Sequence, residues 1–412
     1  MNSISLRILP AIALLLVAAC GEQKVDTSQG SEASTDTTAA LVERAGAPLF
    51  DGMSDYEMPI TTQNADAQRY FNQGMVLAFA FNHAESIRSF RAAQTLDPSC
   101  AMCFWGEALA TGPNINVTSK GKVIMSAAER EAAFSALQQA LALKANATPR
   151  EQAYIEALAT RYNGQPETDR EPLDRAWAQA MGKVAKQYPE DMTAASIYAE
   201  SLMNTMPWNY WSDDGIAKPE TSAVIESLDR VLEAEPDHPL ALHLYIHALE
   251  ASNDPGRAEA AADRLANLVP GAGHLVHMPS HIYYRVGRYN DAALANQRAA
   301  DVDEAYIAAC NAQGFYPALY YPHNIHFLWS AATMQGQSAL SIESARRVVA
   351  NVRVEQVQAF PTVEFFRTVP LLSLVRFGRW DDILREPHPH EGFIFAKSVW
   401  HYARGVAYAA KG

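Results

Sequence analysis

From about Gln63 to the C-terminus, apolar residues return every three or four positions, with alanine frequent between them. That spacing is the period of helices that bury one face. Stretches that alternate apolar with polar, the mark of half-buried strands, are scarce, so the chain is predicted to be all-α. Two stretches near the N-terminus break the pattern. Residues 8–19 form one apolar run behind a single basic residue, Arg7, and the run is short for a membrane span. Residues 22–40 are rich in Ser, Thr, Gly and acidic side chains, with almost nothing to bury. Such a composition predicts a disordered tether. The expected division is therefore a targeting segment over 1–20, a disordered or extended tether over 21–62, and a helical body over 63–412.

Within the body the helices repeat. Gly74 and Leu77 stand at a Gly-x2-large spacing, Ser86 and Phe90 at a small-x3-aromatic spacing, and Ala93 and Pro98 follow. Pro236 and Pro270 are 34 residues apart. The run Gly287-Arg288-Tyr289-Asn290-Asp291-Ala292 is echoed by Gly378-Arg379-Trp380-Asp381-Asp382. Small residues suit the places where two helices cross closely, and proline ends the second helix. This pattern resembles the tetratricopeptide-repeat (TPR) family over about residues 65–411, as some eight or nine helix pairs. Some pairs are degenerate, with the spacing stretched to 49 between Gly287 and Gly336 and to 42 between Gly336 and Gly378. Residues 111–122 and the aromatic run 206–211 read as inserts able to lid a groove or pack across repeat edges. The resemblance implies a TPR-like helical-hairpin solenoid, a right-handed superhelix whose concave groove is lined by the first helix of each pair.

The run Val17-Ala18-Ala19-Cys20-Gly21 resembles a bacterial lipoprotein signal. It implies lipidation of Cys20 and a chain anchored in the cell envelope through that lipid. The glycine after the cysteine, in place of aspartate, implies the outer membrane, facing the periplasm.

Seven of the twelve histidines lie between positions 243 and 326. His243 and His247 recur as His277 and His281 after 34 residues, and the His274/His277 spacing recurs as His323/His326. On the resemblance these histidines fall on first helices. Residues four apart on a helix share a face, about 5–6 Å apart. Neighbouring helix axes are about 8–10 Å apart. Imidazoles of adjacent first helices are therefore expected to converge on a transition-metal site built from His243, His247, His274, His277, His281, His323 and His326. Seven exceed one tetrahedral site, so either two metals or one metal with surrounding histidines is expected. All-imidazole ligation suits copper or zinc foremost, with iron as a further choice. Glu250 is a candidate additional ligand, and Tyr284, Asn324 and Tyr245 are candidates to steady the ligands. The HExxH signature of zinc peptidases is absent. Pro279 is predicted to break the helix between His277 and His281. His83 is read as a turn cap or a groove-facing residue, the cap being favoured. His238, His388 and His390 are read as exposed loop residues, and His401 as structural.

Half the residues are hydrophobic (49%), enough for a large folded body, and the formal charge of −13 argues against a nucleic-acid surface. Cys100 and Cys103 are expected either as a local disulfide or as reduced ligands, and Cys310 as buried. The sequence after Cys103 lacks the histidine of a haem attachment site. Two functions stand against each other. One is a metalloenzyme acting on a small molecule, or a metal-binding protein, with its site in the groove. The other is a metal-free scaffold gripping a protein or peptide, its histidines ordinary residues of a wet groove. A metal-free acid–base enzyme lacks any visible set of nucleophile, base and orienting carboxylate.

Overall fold

The computed structural model describes residues 39–116, 125–165, 169–312 and 314–412. The targeting segment, Cys20 and the tether as far as residue 38 lie outside the described residues. The chain divides into two units, Met1–Arg44 and Ala45–Gly412. Of the first, residues 39–44 are described and are helical.

The second unit is a solenoid of helical hairpins. Its helices are α1 (Ala65–Phe79), α2 (His83–Leu96), α3 (Ala101–Thr111), α4 (Ala127–Leu143), α5 (Pro149–Ala159), α6 (Arg170–Gln187), α7 (Met192–Thr205) and α8 (Pro219–Ala234). They continue as α9 (Pro239–Leu249), α10 (Glu259–Leu265), α11 (Gly273–His277), α12 (Pro279–Arg285), α13 (Tyr289–Cys310), α14 (Tyr321–Met334) and α15 (Ser338–Asn351). The array ends with α16 (Val354–Ala359), α17 (Val369–Arg376), α18 (Trp380–Arg385) and α19 (Ile394–Lys411). Among the described residues β pairing is limited to one bridge, Trp211 with Ala217. No described helix is long and apolar enough to cross a membrane.

Local chemistry starts and stops these helices. The Asn64 side chain caps α1 by accepting from the amides of Asp66 and Ala67. Thr148 and Glu151 form a capping box at α5, with Pro149 in its first turn. Gly287, Gly336 and Gly378 all take positive φ (+85°, +71° and +64°) just past a first helix, where the turn needs a left-handed residue. Phe90 explains the small residues of the repeat. Its ring fills the space between α1 and α3, and a Cβ at Gly74 would come within 2.8 Å of it; one at Gly106 would come closer still. Cys100 and Cys103 form a disulfide at the start of α3, and Cys310 is partly exposed rather than buried.

The tether ends earlier than residue 62. Residues 47–62 form a strap over the hairpins, because Phe50, Tyr56 and Met58 give it apolar anchors that its Ser/Thr-rich surroundings hide. Tyr70 donates to the Ala47 carbonyl (2.6 Å), the Phe50 amide donates to Gln73 Oε1 (2.7 Å), and Thr61 N donates to Glu151 Oε1 (2.6 Å). The Gly52 carbonyl accepts from Gly271 N at 2.9 Å, so the strap joins the first hairpin to the α10–α11 turn. Farther along, Asn116 Nδ2 donates to Tyr320 Oη (3.0 Å), tying the described part of the first insert to α14. The first hairpin therefore meets the later ones, and the histidines between them are enclosed.

Candidate metal centre

Helix α9 carries His243 and His247 on one face, with Glu250 one turn on. The next first helix is broken where Pro279 removes a backbone donor. α11 ends at His277, and α12 restarts at Pro279 with a tighter turn in which His281 N bonds the Met278 carbonyl (3.1 Å). The break brings Nε2 of His277 and Nε2 of His281 to 2.9 Å. α14 is entered through one π-helical turn, Tyr316–Tyr320, which runs on without a break through Pro322 and sets Tyr320 on His274 with ring centroids 4.7 Å apart.

Six of the seven histidines come together as two triplets. One nitrogen each of His243, His247 and His274 lie within 4.8 Å of one another, as do those of His277, His281 and His323. The triplets touch, with ring centroids 5.3 Å apart for His247–His281 and 5.6 Å for His274–His277. The centre of a triangle with sides of that limiting length lies roughly 2.8 Å from its corners. A metal–imidazole bond is about 2.0–2.1 Å, so shifts below an ångström close each shell. His326 does not join them. It is turned to the next hairpin, against Trp329, Phe365 and Phe366.

Hydrogen bonds fix the ring tautomers. Nδ1 of His243 meets the Phe79 carbonyl (2.6 Å). Nδ1 of His247 and of His281 meet the two oxygens of Glu250, at 2.8 and 2.7 Å. Nδ1 of His277 meets Asn296 Oδ1 (2.6 Å), and Asn296 is oriented by its own donation to the Ala292 carbonyl (2.7 Å). Each partner is an acceptor, so each Nδ1 carries the proton and each Nε2 of a neutral ring presents a lone pair. Nε2 of His243 and of His247 are buried with no hydrogen-bond partner, and both ring nitrogens of His274 are likewise orphaned. Buried acceptors of this kind normally have a partner.

The site is dry. Phe81 packs on His243 (4.5 Å), His274 (5.6 Å) and His247 (6.5 Å), while Phe327 packs on all three rings of the second triplet at 4.6–4.9 Å. Trp208, from the aromatic insert, stands edge-on to His247 at 5.0 Å. Phe81 and Trp208 both hold positive φ, +55° and +59°, a conformation that bulky residues rarely adopt. Burial, then the neighbouring rings, pushes His243, His274 and His277 well below the ordinary imidazole value, and His323 likewise. Burial also lowers His247, outweighing Glu250. At Glu250 burial acts upward, but His281 and His247 outweigh it and hold the carboxyl well below the usual range.

The other sequence candidates have different places. The side chain of Asn324 is hydrogen-bonded away from the rings. It donates to Asp303 Oδ2 (2.7 Å), whose other oxygen accepts from Tyr316 (2.9 Å), and the Tyr316 hydroxyl accepts from the amide of His274 (3.2 Å). Tyr284 bonds Ser330 and packs on Phe327. Tyr245 points away from the centre, to Asp229. Glu250 is engaged through both oxygens with the Nδ1 atoms of His247 and His281, and these three also form a third group with donor atoms within 4.8 Å of one another, so Glu250 is placed either to orient the rings or to be a ligand itself. His83 bonds Asn114 (3.3 Å) instead of capping a turn. His238 is buried as the cap of α9, its Nδ1 accepting from Ala241 N (3.3 Å). His388, His390 and His401 are exposed. Asn296, Phe81 and Phe327 were not singled out by sequence, since no spacing rule marks a lone asparagine or phenylalanine as a neighbour of histidines in another helix.

No protein-family model matches the chain. No curated protein matches it in sequence. Among solved structures the chain is similar to human IFIT1 with m7Gppp-AAAA, at 15% identity over 94% of this chain and 80% of that chain, TM-score 0.43. It is similar to yeast Tom70 at 10% identity, covering 84% of this chain and 90% of that one, TM-score 0.27. It is also similar to the P58(IPK) TPR domain at 13% identity, covering 84% and 99%, TM-score 0.20. Likenesses this remote carry nothing about ligand or activity.

Proposed function

We propose that the protein is an envelope lipoprotein, anchored through Cys20 at the outer membrane and facing the periplasm, that binds two transition-metal ions in the enclosed histidine centre and acts there as a metalloenzyme on a small molecule. His243, His247 and His274 hold one ion, and His277, His281 and His323 hold the other. Glu250 turns His247 and His281 so that each offers Nε2. Copper is the first choice and zinc the second, because the donors are imidazoles throughout and thiolate is absent from both triplets. Iron is third, since the carboxylate is already spent on Nδ1.

The observation that carries this reading is the direction of the lone pairs. Four rings whose Nδ1 protons are committed outward leave Nε2 atoms facing one another in a largely buried site, where a cation satisfies them together. Three protein ligands per ion favour catalysis over storage, because a catalytic site keeps a coordination position open. The experiment is elemental analysis of protein purified without a histidine tag. It is expected to yield about two equivalents of copper or zinc per chain; less than about a tenth of an equivalent, with no uptake on titration, overturns the reading.

A metal-free scaffold draws on a different feature, the exposed Ile394, Phe395, Tyr402 and Tyr408 of the final helix. Under that reading, changing His243, His277 and His281 to Ala leaves recovery of an envelope partner unchanged in a protein that still folds.

A further inference from the structure

A cavity of about 550 Å³ opens beside the first triplet, walled by Phe81, Ile87, Phe315 and Phe360, with His83 and Asn114 as polar groups. Its size suits a one- or two-ring molecule. Phe81 lines the cavity and also lies on the rings of His243, His247 and His274. It is therefore a shared wall, and it is held there in a left-handed conformation that costs energy for a phenylalanine. A second line of contact runs through polar groups. Asn114 Nδ2 reaches His83 Nε2 (3.3 Å) and Tyr320 Oη (3.5 Å), and the Tyr320 ring lies on His274 (4.7 Å).

The charge of the wall narrows the occupant. Among the described residues that line it there is no lysine or arginine, and the Arg161 guanidinium behind Gly112 donates to the Pro113 carbonyl at 2.5 Å. Its one carboxylate, Glu129, is tied into the capping box with Ser126. Burial, and after it the nearby Arg161 charge, keeps His83 neutral, with its pKa brought down to about 4. With Arg161 committed to Pro113, no cationic side chain of the described wall is left to offset the desolvation of a carboxylate or phosphate. The aromatic and aliphatic wall offers stacking and burial to a flat apolar ring, and Asn114 with His83 offers hydrogen bonds to a neutral polar group.

We propose that this cavity is the ligand chamber of the histidine centre, that it takes a small uncharged aromatic molecule bearing a hydroxyl, and that Phe81 is the partition between chamber and metal. The link to a metal rests on the function proposed above; the selectivity of the chamber does not. The metal-free protein is titrated with 2-naphthol and with 2-naphthoate, following fluorescence. Saturable binding of 2-naphthol at one site is expected, at least tenfold tighter than 2-naphthoate. Filling the chamber with Ile87→Trp, or with Ala84→Trp at the exposed edge should the first not fold, weakens 2-naphthol at least tenfold. Absence of saturable binding, equal binding of the anion, or full affinity in a folded filled variant overturns the chamber.

The partition is tested on cobalt(II)-loaded protein. In the wild type, 2-naphthol is expected to shift the visible cobalt bands. In Phe81→Gly, which is at ease at positive φ, EDTA is expected to strip cobalt at least tenfold faster; Phe81→Leu serves if the glycine variant is unfolded. Bands that ignore 2-naphthol, or unchanged stripping, overturn the role of Phe81. A protein that takes up no cobalt removes the metal reading and with it the chamber's link to a metal, while the 2-naphthol titration still decides whether the chamber exists.

Discussion

Nε2 of His277 stands 2.9 Å from Nε2 of His281, and both rings have their Nδ1 protons committed elsewhere, to Asn296 and to Glu250. Two lone pairs thus face each other among largely buried rings. A proton shared between them would leave an imidazolium among other neutral rings. A metal ion accepts both of these lone pairs and that of a third ring at once, which one proton cannot, and the rest of the centre follows the same rule.

Glu250→Gln is the sharpest single change. A glutamine oxygen accepts from one ring, but its amide group can only donate to the other, which forces that ring to move its proton to Nε2. One ligand is thereby lost with little change of shape. Metal affinity is expected to fall about 10–100-fold, read by competition against a chelator of known affinity. An unchanged affinity would mean that Glu250 does not orient the rings.

His326 and His274 give a paired test. His326→Ala removes a ring packed on Trp329, Phe365 and Phe366, so metal stoichiometry is expected to stay at two. His274→Ala removes a ligand of the first triplet, and uptake is expected to fall toward one equivalent. Inductively coupled plasma analysis of both variants separates a six-histidine centre from one that uses all seven.

The difference between those two residues shows what could be read from the sequence. Recurrence of histidine at the repeat period gave each pair the same address on successive first helices. The convergence of rings on adjacent helices followed from it, while the fold class came from the apolar period and the repeat of glycine, aromatic and proline positions. Residues three apart diverge by about a sixth of a turn. On α11 that divergence is useful, since it sends His274 to the α9 triplet and His277 to the other. On α14 the same divergence keeps His323 inside and turns His326 to the neighbouring hairpin. Spacing alone cannot separate the two cases. Nor can it foresee Phe79, whose carbonyl reaches His243 across 164 positions, or the strap that encloses the site.

Acid destabilises the metal-free protein. Burial lowers the pKa of eight histidines (His83, His238, His243, His247, His274, His277, His323 and His326), with His83, His238 and His326 brought to about 4. The unfolded chain takes up protons near pH 6.5, whereas the folded one resists until lower pH, so stability falls as pH drops from about 6.5 toward 4. Glu200 and Asp303, both raised to about 7 by burial, and Glu85 and Glu235, also raised, act in the opposite sense. The histidines outnumber them. Calorimetry of the apo-protein is expected to show Tm falling between pH 7 and 5; a flat or rising Tm would contradict neutral, buried rings.

Gly106→Ala tests the packing rule of the repeat. Its methyl group would enter the Phe90 ring, and overpacking of this kind costs about 1–3 kcal/mol. Urea unfolding is expected to show that loss with the slope unchanged. A neutral result would place Phe90 elsewhere.

An anomalous-scattering map of crystals of the copper- or zinc-loaded protein tests the account most directly. Two peaks are expected, one within His243, His247 and His274 and one within His277, His281 and His323, with His243, His247, His277 and His281 bonded through Nε2 and Glu250 still on the Nδ1 atoms. Peaks confined to exposed His388, His390 or His401, or no peak within either triplet, would contradict it.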